Sequence, residues 1–243
     1  VSPMPTAPSR GTEGFSDGGR KEDLLAWNRE YRDKGRIWRG AAPRLPDLPA
    51  GSRVLELGCG NGKTLAAMLR RPWRIAALDL SPLAVRLGRD GAAGLLAGSG
   101  PAESVRPRQS LGADFVAADA VSLPFRASTF DAVFAFHVIG HLREEGRSQA
   151  AQEAARVLKP GGRLFFLEFG VEDMRMGKGE EVEPMTFRRG GGVLTHYFAE
   201  GEVLEIFEVL RQVSIVADRR ITRIMGKDHL RSEVEAEFIK VEG

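Results

Sequence analysis

The sequence predicts an α/β fold in which apolar strands alternate with helices, and three observations carry that prediction. Val54-Leu55-Glu56-Leu57 reads as a buried strand that runs into Gly58-Cys59-Gly60-Asn61-Gly62, and Lys63 to Leu69 then has the composition of a helix. Two further apolar runs, Arg74 to Leu80 and Phe115 to Ala120, also carry an acid at the strand end, Asp79 and Asp119. Near the end of the chain, Val213 to Ile224 and Glu233 to Val241 are rich in β-branched residues and read as a final pair of strands.

The glycine turn narrows the ligand. Alternate glycines let the backbone turn sharply and approach a bound molecule closely. A dinucleotide site needs Gly-x-Gly-x-x-Gly, and counting from Gly58 its third glycine falls on Lys63. A phosphate-cradling P-loop ends in Gly-Lys-Ser/Thr, which Gly62-Lys63-Thr64 imitates, but the glycine that should open it falls on Leu57. Both spacings fail. A carboxylate at Glu56 would repel a pyrophosphate, whereas it suits a ligand with an ammonium on its tail and a positive charge on its sulfur. S-adenosylmethionine is such a ligand.

With these residues the chain resembles the class I S-adenosylmethionine-dependent methyltransferases, from about Leu48 to Phe169. Phe130 to Val138 is similar to that family's fourth strand, and Leu158 to Phe166 to the turn into its fifth. The resemblance implies a Rossmann-like, doubly wound, mostly parallel seven-stranded sheet with an antiparallel last strand and helices on both faces. It implies that Glu56, Gly58, Cys59, Gly60, Asn61 and Gly62 border the cofactor, and that Asp79, beside Leu80, takes both ribose hydroxyls. Asp119 then meets the adenine amino group and the Ala120 amide a ring nitrogen, while Phe136 and His137 line the pocket. Tyr31 and Trp38 resemble aromatic residues that many family members fold over the cofactor from the amino-terminal side.

Composition agrees with a catalytic domain. A chain of 243 residues with 42% hydrophobic residues can bury one sizeable core, and a net charge of +2 does not by itself imply nucleic acid. No apolar run approaches the roughly 18 residues of a membrane span, and the expected location is the cytoplasm. The single cysteine excludes an internal disulfide, and the scattered carboxylates define no metal triad.

The expected organisation is a flexible tail over residues 1–20, a helical, lid-like segment over 21–47, and the methyltransferase domain over 48–243. Leu24, Leu25, Trp27, Tyr31, Ile37 and Trp38 alternate with charges in the second segment, as in one amphipathic helix followed by an aromatic-bearing loop. Ser81-Pro82 opens a helix as N-cap and first helical residue, and 88–112 reads as a weak helix end and a variable loop. Residues 170–195 form a charged, Gly-rich insertion, either a substrate lid or a solvated loop.

His137 and His141 follow the fourth strand, the edge where open α/β sheets place ligands, so either can act as a general base or simply line the pocket. Glu168 ends the fifth strand, where a buried acid requires a partner, and joins them as a catalytic or acceptor contact. Trp38, His196 and Tyr197 complete the acceptor-side candidates, with ordinary packing as the alternative for each. Cys59 reads as a small buried residue rather than a nucleophile, which argues against cysteine-dependent methylation of a pyrimidine carbon.

The expected function is transfer of a methyl group to an oxygen, nitrogen or carbon of a small-molecule acceptor. Arg29, Arg32, Lys34, Arg36, Arg39 and Arg44, with Arg188 and Arg189, motivate transfer RNA as the alternative acceptor. A non-catalytic, cofactor-binding regulatory domain is the third reading.

Overall fold

Alternating burial along the strands builds the fold. A computed structural model describes residues 17–37, 40, 42–97 and 112–242. In β1 (Arg53–Leu57), Val54 faces one side of the sheet while Leu55 and Leu57 face the other. The same alternation runs through β2 (Arg74–Asp79), β4 (Phe130–Phe136) and β5 (Leu158–Phe169), so these strands need cover on both faces. On one face α2 (Lys63–Met68) and α3 (Pro82–Ala97) bring Leu65, Met68 and Ala92 against Trp73, Phe134 and Phe165. On the other, Ala150, Ala151, Ala154 and Ala155 of α4 (Glu144–Val157) and Val203 of α5 (Glu200–Ile206) join Phe166, Phe198, Phe207 and Phe238. Ser81 caps α3 through the Ala84 amide at 3.2 Å, as its place before Pro82 predicts.

The main sheet has seven strands in the order β3-β2-β1-β4-β5-β10-β9, with β3 at Ala113–Ala117, β9 at Arg211–Ile224 and β10 at Lys227–Ile239. β1 runs parallel to β2 and β4, and β4 to β5, while β10 is antiparallel to both β5 and β9. This is the expected Rossmann-like, doubly wound sheet. The last hairpin is longer than the sequence suggests because Met225 and Gly226, at φ 50 and 79, make a tight turn whose twist suits a hairpin. Lys227 to Arg231 are charged enough to hide their strand in the sequence.

Two expectations about the flanks change. Helix α1 (Asp17–Lys34) begins inside the segment expected to be a tail, so residues 17–20 are helical; residues 1–16 lie outside the described residues. Helix α3 continues through Gly88, Gly91 and Gly94 to Ala97, and the rest of the expected variable loop, 98–111, is likewise outside the description.

The insertion is neither a bare loop nor a detached lid. It folds into a second, antiparallel sheet of β6 (Glu180–Glu183), β7 (Thr186–Arg188) and β8 (Leu194–His196). Glu183 fastens this sheet to α4: its carboxylate lies 3.4 Å from both Arg143 and Arg147 and accepts the Glu144 amide at 3.1 Å. Arg147 is itself buried and donates to the Leu142 carbonyl at 3.0 Å. Among the described residues no helix is long and apolar enough to cross a membrane. Replacing Glu183 with Ala leaves Arg147 under-partnered and should lower unfolding stability by about 2 kcal/mol in urea titration, hydrogen bonds to charged groups being of that order.

Candidate cofactor and acceptor site

Strand order reverses between β1 and β4, so the turns that leave their carboxyl ends open onto one crevice. Gly58 follows β1 with φ +67, and a Cβ added there would sit 2.8 Å from the Val138 side chain that follows β4. Only glycine allows the two exits to meet so closely. The turn is stitched to β2 by the Cys59 amide, which donates to the Leu78 carbonyl at 2.8 Å.

Asp79, at the end of β2, is held from both sides. One carboxylate oxygen accepts the Gly60 amide and the other the Ser81 amide, each at 2.9 Å. Each oxygen keeps a second lone pair for a hydroxyl of a diol. Burial nevertheless outweighs the two amides and pushes the Asp79 pKa up to about 6.

A cleft of about 580 Å³ opens beside Asp79, bordered on the sheet side by Gly58, Leu80, Asp119 and Ala120, and by His137 and His141 beyond β4. Helix α1 roofs it with Asp23, Trp27 and Tyr31. Of these, Tyr31 was legible as a roofing residue, whereas Asp23 and Trp27 as lining residues were missed. Their spacing of four residues, which places all three on one helix face, was the available signal. The roof is tied down where the Ser81 hydroxyl donates to the Asn28 side chain at 2.6 Å. Arg20, a turn before Asp23, forms an ion pair with Asp119, whose carboxylate also accepts the Val121 amide at 3.1 Å. Burial raises the Asp23 pKa to about 6, against the pull of Arg20 and Arg143. Trp38 lies outside the described residues.

Next to this cleft is a smaller hollow lined by Glu56, Gly58, Cys59, Lys63, Thr64, Phe136 and His137, with Pro43 at its mouth. Glu56 is 4% exposed, and its Oε2 has no hydrogen-bond partner. Burial and then the neighbouring Asp79 charge raise its pKa to about 8. A buried carboxylate oxygen without a donor fits a cationic ligand, the charge expected of the S-adenosylmethionine tail. Cys59 is buried, and burial followed by the charges of Glu56 and Asp79 pushes its thiol well above the ordinary range, consistent with an inert packing residue. Asn61 is also buried in the turn, and Gly62 starts α2 from a left-handed conformation.

His137 stands where the clefts meet. Its backbone is left-handed at φ 52, unusual for a residue with a side chain, and its amide donates to the Leu167 carbonyl at 2.8 Å. The ring lies on Phe169 at 4.5 Å between centroids, with Nδ1 3.7 Å from Glu168 and Nε2 3.7 Å from Glu233. Glu168 is 1% exposed and accepts the Gly140 amide at 2.9 Å, which supplies the partner its burial demanded. It stands behind His137 rather than in the cleft. His141 is held by the Leu194 carbonyl at 2.6 Å from Nδ1 and by the edge of Trp27, and burial lowers its pKa.

The other acceptor-side candidates are not brought to the clefts. His196 is buried with Nδ1 2.8 Å from the Thr186 hydroxyl and Nε2 2.9 Å from Glu202. Tyr197 is fully buried and its hydroxyl accepts from Arg189 at 2.7 Å. Both hold the insertion together, which the sequence could not distinguish from a pocket role.

Residues 55–166 match the family model of a methyltransferase domain. These residues are thus similar to a methyltransferase domain, and they lie on a Rossmann-like sheet. The chain is 32% identical over 136 residues to a tRNA (carboxymethyluridine(34)-5-O)-methyltransferase of Arabidopsis thaliana, covering 56% of this chain and 28% of the relative. It is 34% identical over 135 residues to the demethylmenaquinone methyltransferase of Clavibacter sepedonicus, covering 56% of this chain and 48% of the relative. The chain thus spans half or less of the length of these curated relatives. In fold it is similar to an S-adenosylmethionine-dependent methyltransferase of Methanosarcina mazei, with a TM-score of 0.63 at 23% identity over 80% of this chain and 95% of that one.

The Glu56 pKa sets a pH dependence of stability. A folded-state value of about 8 against 4.5 in the unfolded chain means that the folded protein binds more protons between those values, so stability falls as pH rises through that window. Glu56→Gln removes this titrating group. Thermal unfolding from pH 5 to pH 9 should show a steeper loss for the wild type than for the variant, and parallel curves would refute the assignment.

Proposed function

We propose that the protein is an S-adenosylmethionine-dependent methyltransferase acting on a small-molecule acceptor. The observation that carries this reading is the unpartnered, buried Glu56 Oε2 on the same strand edge as the bracketed carboxylate of Asp79. In this reading Glu56 holds the ammonium of the tail, Asp79 the ribose hydroxyls, and Asp119 with the Ala120 amide the adenine edge. Trp27 and Tyr31 cover the base and ribose and exclude water. The cofactor supplies an activated methyl group on a cationic sulfur, so what remains for the protein is to align an acceptor and to take a proton from it.

His137 is the residue for the proton. It borders both the cofactor cleft and the neighbouring hollow, and the Glu168 carboxylate stands behind its ring, 3.7 Å from Nδ1. Glu168 is then a positioning residue. A small-molecule acceptor is supported by the relative named for demethylmenaquinone.

Transfer RNA is the second reading, favoured by the relative named as a tRNA methyltransferase and by Arg29, Arg32, Lys34 and Arg36, which run along α1 and just past it. Incubation of labelled S-adenosylmethionine with a cell extract, split into low-mass, protein and RNA fractions, separates the two. Nuclease-resistant, low-mass label is expected; nuclease-sensitive label would transfer the proposal to RNA.

Two substitutions test the site itself. Asp79→Ala should weaken S-adenosylhomocysteine binding at least about tenfold by calorimetry, two charge-assisted hydrogen bonds being lost. His137→Ala should lower kcat by about a hundredfold while changing that binding less than threefold. A fall in binding equal to the fall in kcat would make His137 a lining residue only.

A further inference from the structure

A third cleft, of about 820 Å³, adjoins the hollow that holds Glu56 and shares Pro43, Lys63, Phe136 and His137 with it. His137 is therefore exposed to the cofactor cleft on one side and to this space on the other. The insertion, read from the sequence as a substrate lid or a solvated loop, contributes nothing to it: its remaining walls are residues 42–44, Leu167, and the paired strands β9 and β10.

The charges on those walls are separated by the sheet order. Lys63 opens α2 after the glycine turn, and Arg44 follows Pro43, which lines the neighbouring hollow together with Lys63. Asp218, Glu233 and Glu235 stand on β9 and β10, two and three strands beyond β4 on the opposite side of His137. Arg220 on that side is already neutralised, 3.0 Å from Asp218 and 2.7 Å from Glu233. Arg44, Lys63 and Glu235 take part in no ion pair among the described residues. Between these walls the floor is apolar, formed by Phe136 and Leu167.

We infer that this cleft is the methyl-acceptor site and that it takes a small zwitterionic molecule, with its acidic end toward Arg44 and its amine end toward Glu235. The inference rests on the methyltransferase reading above. A cleft with cations on one wall and a surplus of carboxylate on the other orients a dipolar ligand, whereas an ion of single sign meets repulsion from one wall. That orientation lays the middle of the ligand across the apolar floor beside His137. The acceptor atom there loses its proton to the His137 ring as it forms its bond to the methyl carbon. The bond between that carbon and the cofactor's sulfur breaks, and its electron pair stays on sulfur.

The charge of the labelled product from the extract reaction tests the ligand class without a guess at its identity. The expected product is retained by a cation exchanger at pH 2 and by an anion exchanger at pH 11. Retention on one of them alone, or on neither, would overturn the zwitterion. Arg44→Glu and Glu235→Arg, both exposed positions, test the cleft. Each should lower kcat/KM for that product at least tenfold while S-adenosylhomocysteine binding by calorimetry stays within threefold. Unchanged kcat/KM in both variants would overturn the cleft and leave the methyltransferase reading standing. Failure of the wild type to bind S-adenosylhomocysteine would instead remove the methyltransferase reading itself.

Discussion

The Asp79 carboxylate is the joint on which the site depends. Its two oxygens accept amides from Gly60, in the turn after β1, and from Ser81, at the start of α3. The same Ser81 then caps α3 and holds Asn28 of α1. One acid thus fixes the glycine turn, the helix behind it and the helix that roofs the cleft. A hydrogen-bonded carboxylate can do this in the interior because each oxygen accepts more than one donor. Its raised pKa records the desolvation this arrangement costs.

The second constraint is steric. The exits of β1 and β4 meet at Gly58 and Val138 with no room for a Cβ, and this contact sets His137 at the junction of the clefts in a left-handed conformation. Such backbone is tolerated where its surroundings over-determine it. Here the Leu167 carbonyl, the Phe169 ring and the two flanking carboxylates of Glu168 and Glu233 do so. The position of His137 is therefore maintained by packing from β5 and β10, far along the chain from β4.

The insertion serves this centre indirectly. Its strands are clamped to α4 through Glu183 and Arg147, and the Leu194 carbonyl holds the His141 ring beside the cleft. His196 and Tyr197 satisfy buried polar groups within it, as buried side chains must, and so are unavailable to a ligand. The proposed acceptor side is built from the opposite flank, by residues 42–44 and the long β9–β10 hairpin.

Local pattern was enough for the fold and for the expectation of a cofactor at the strand ends. Runs such as Val54 to Leu57 and Phe130 to Phe136 declare buried strands, and the glycine turn with Glu56, Asp79 and Asp119 at strand ends declares a nucleoside ligand with a cationic tail, because each of these signals lies within a few consecutive residues. Asp23 and Trp27 were readable in principle, since a spacing of four marks one helix face, but nothing in that spacing says which crevice the face covers. The proposed acceptor side was readable only in His137, at its strand's end. It brings together Arg44, Lys63, His137 and Glu235 from four separate parts of the chain. Whether a charged or aromatic residue such as His196 faces a ligand or a buried partner is decided by which distant groups packing delivers to it, and sequence periodicity carries no record of that.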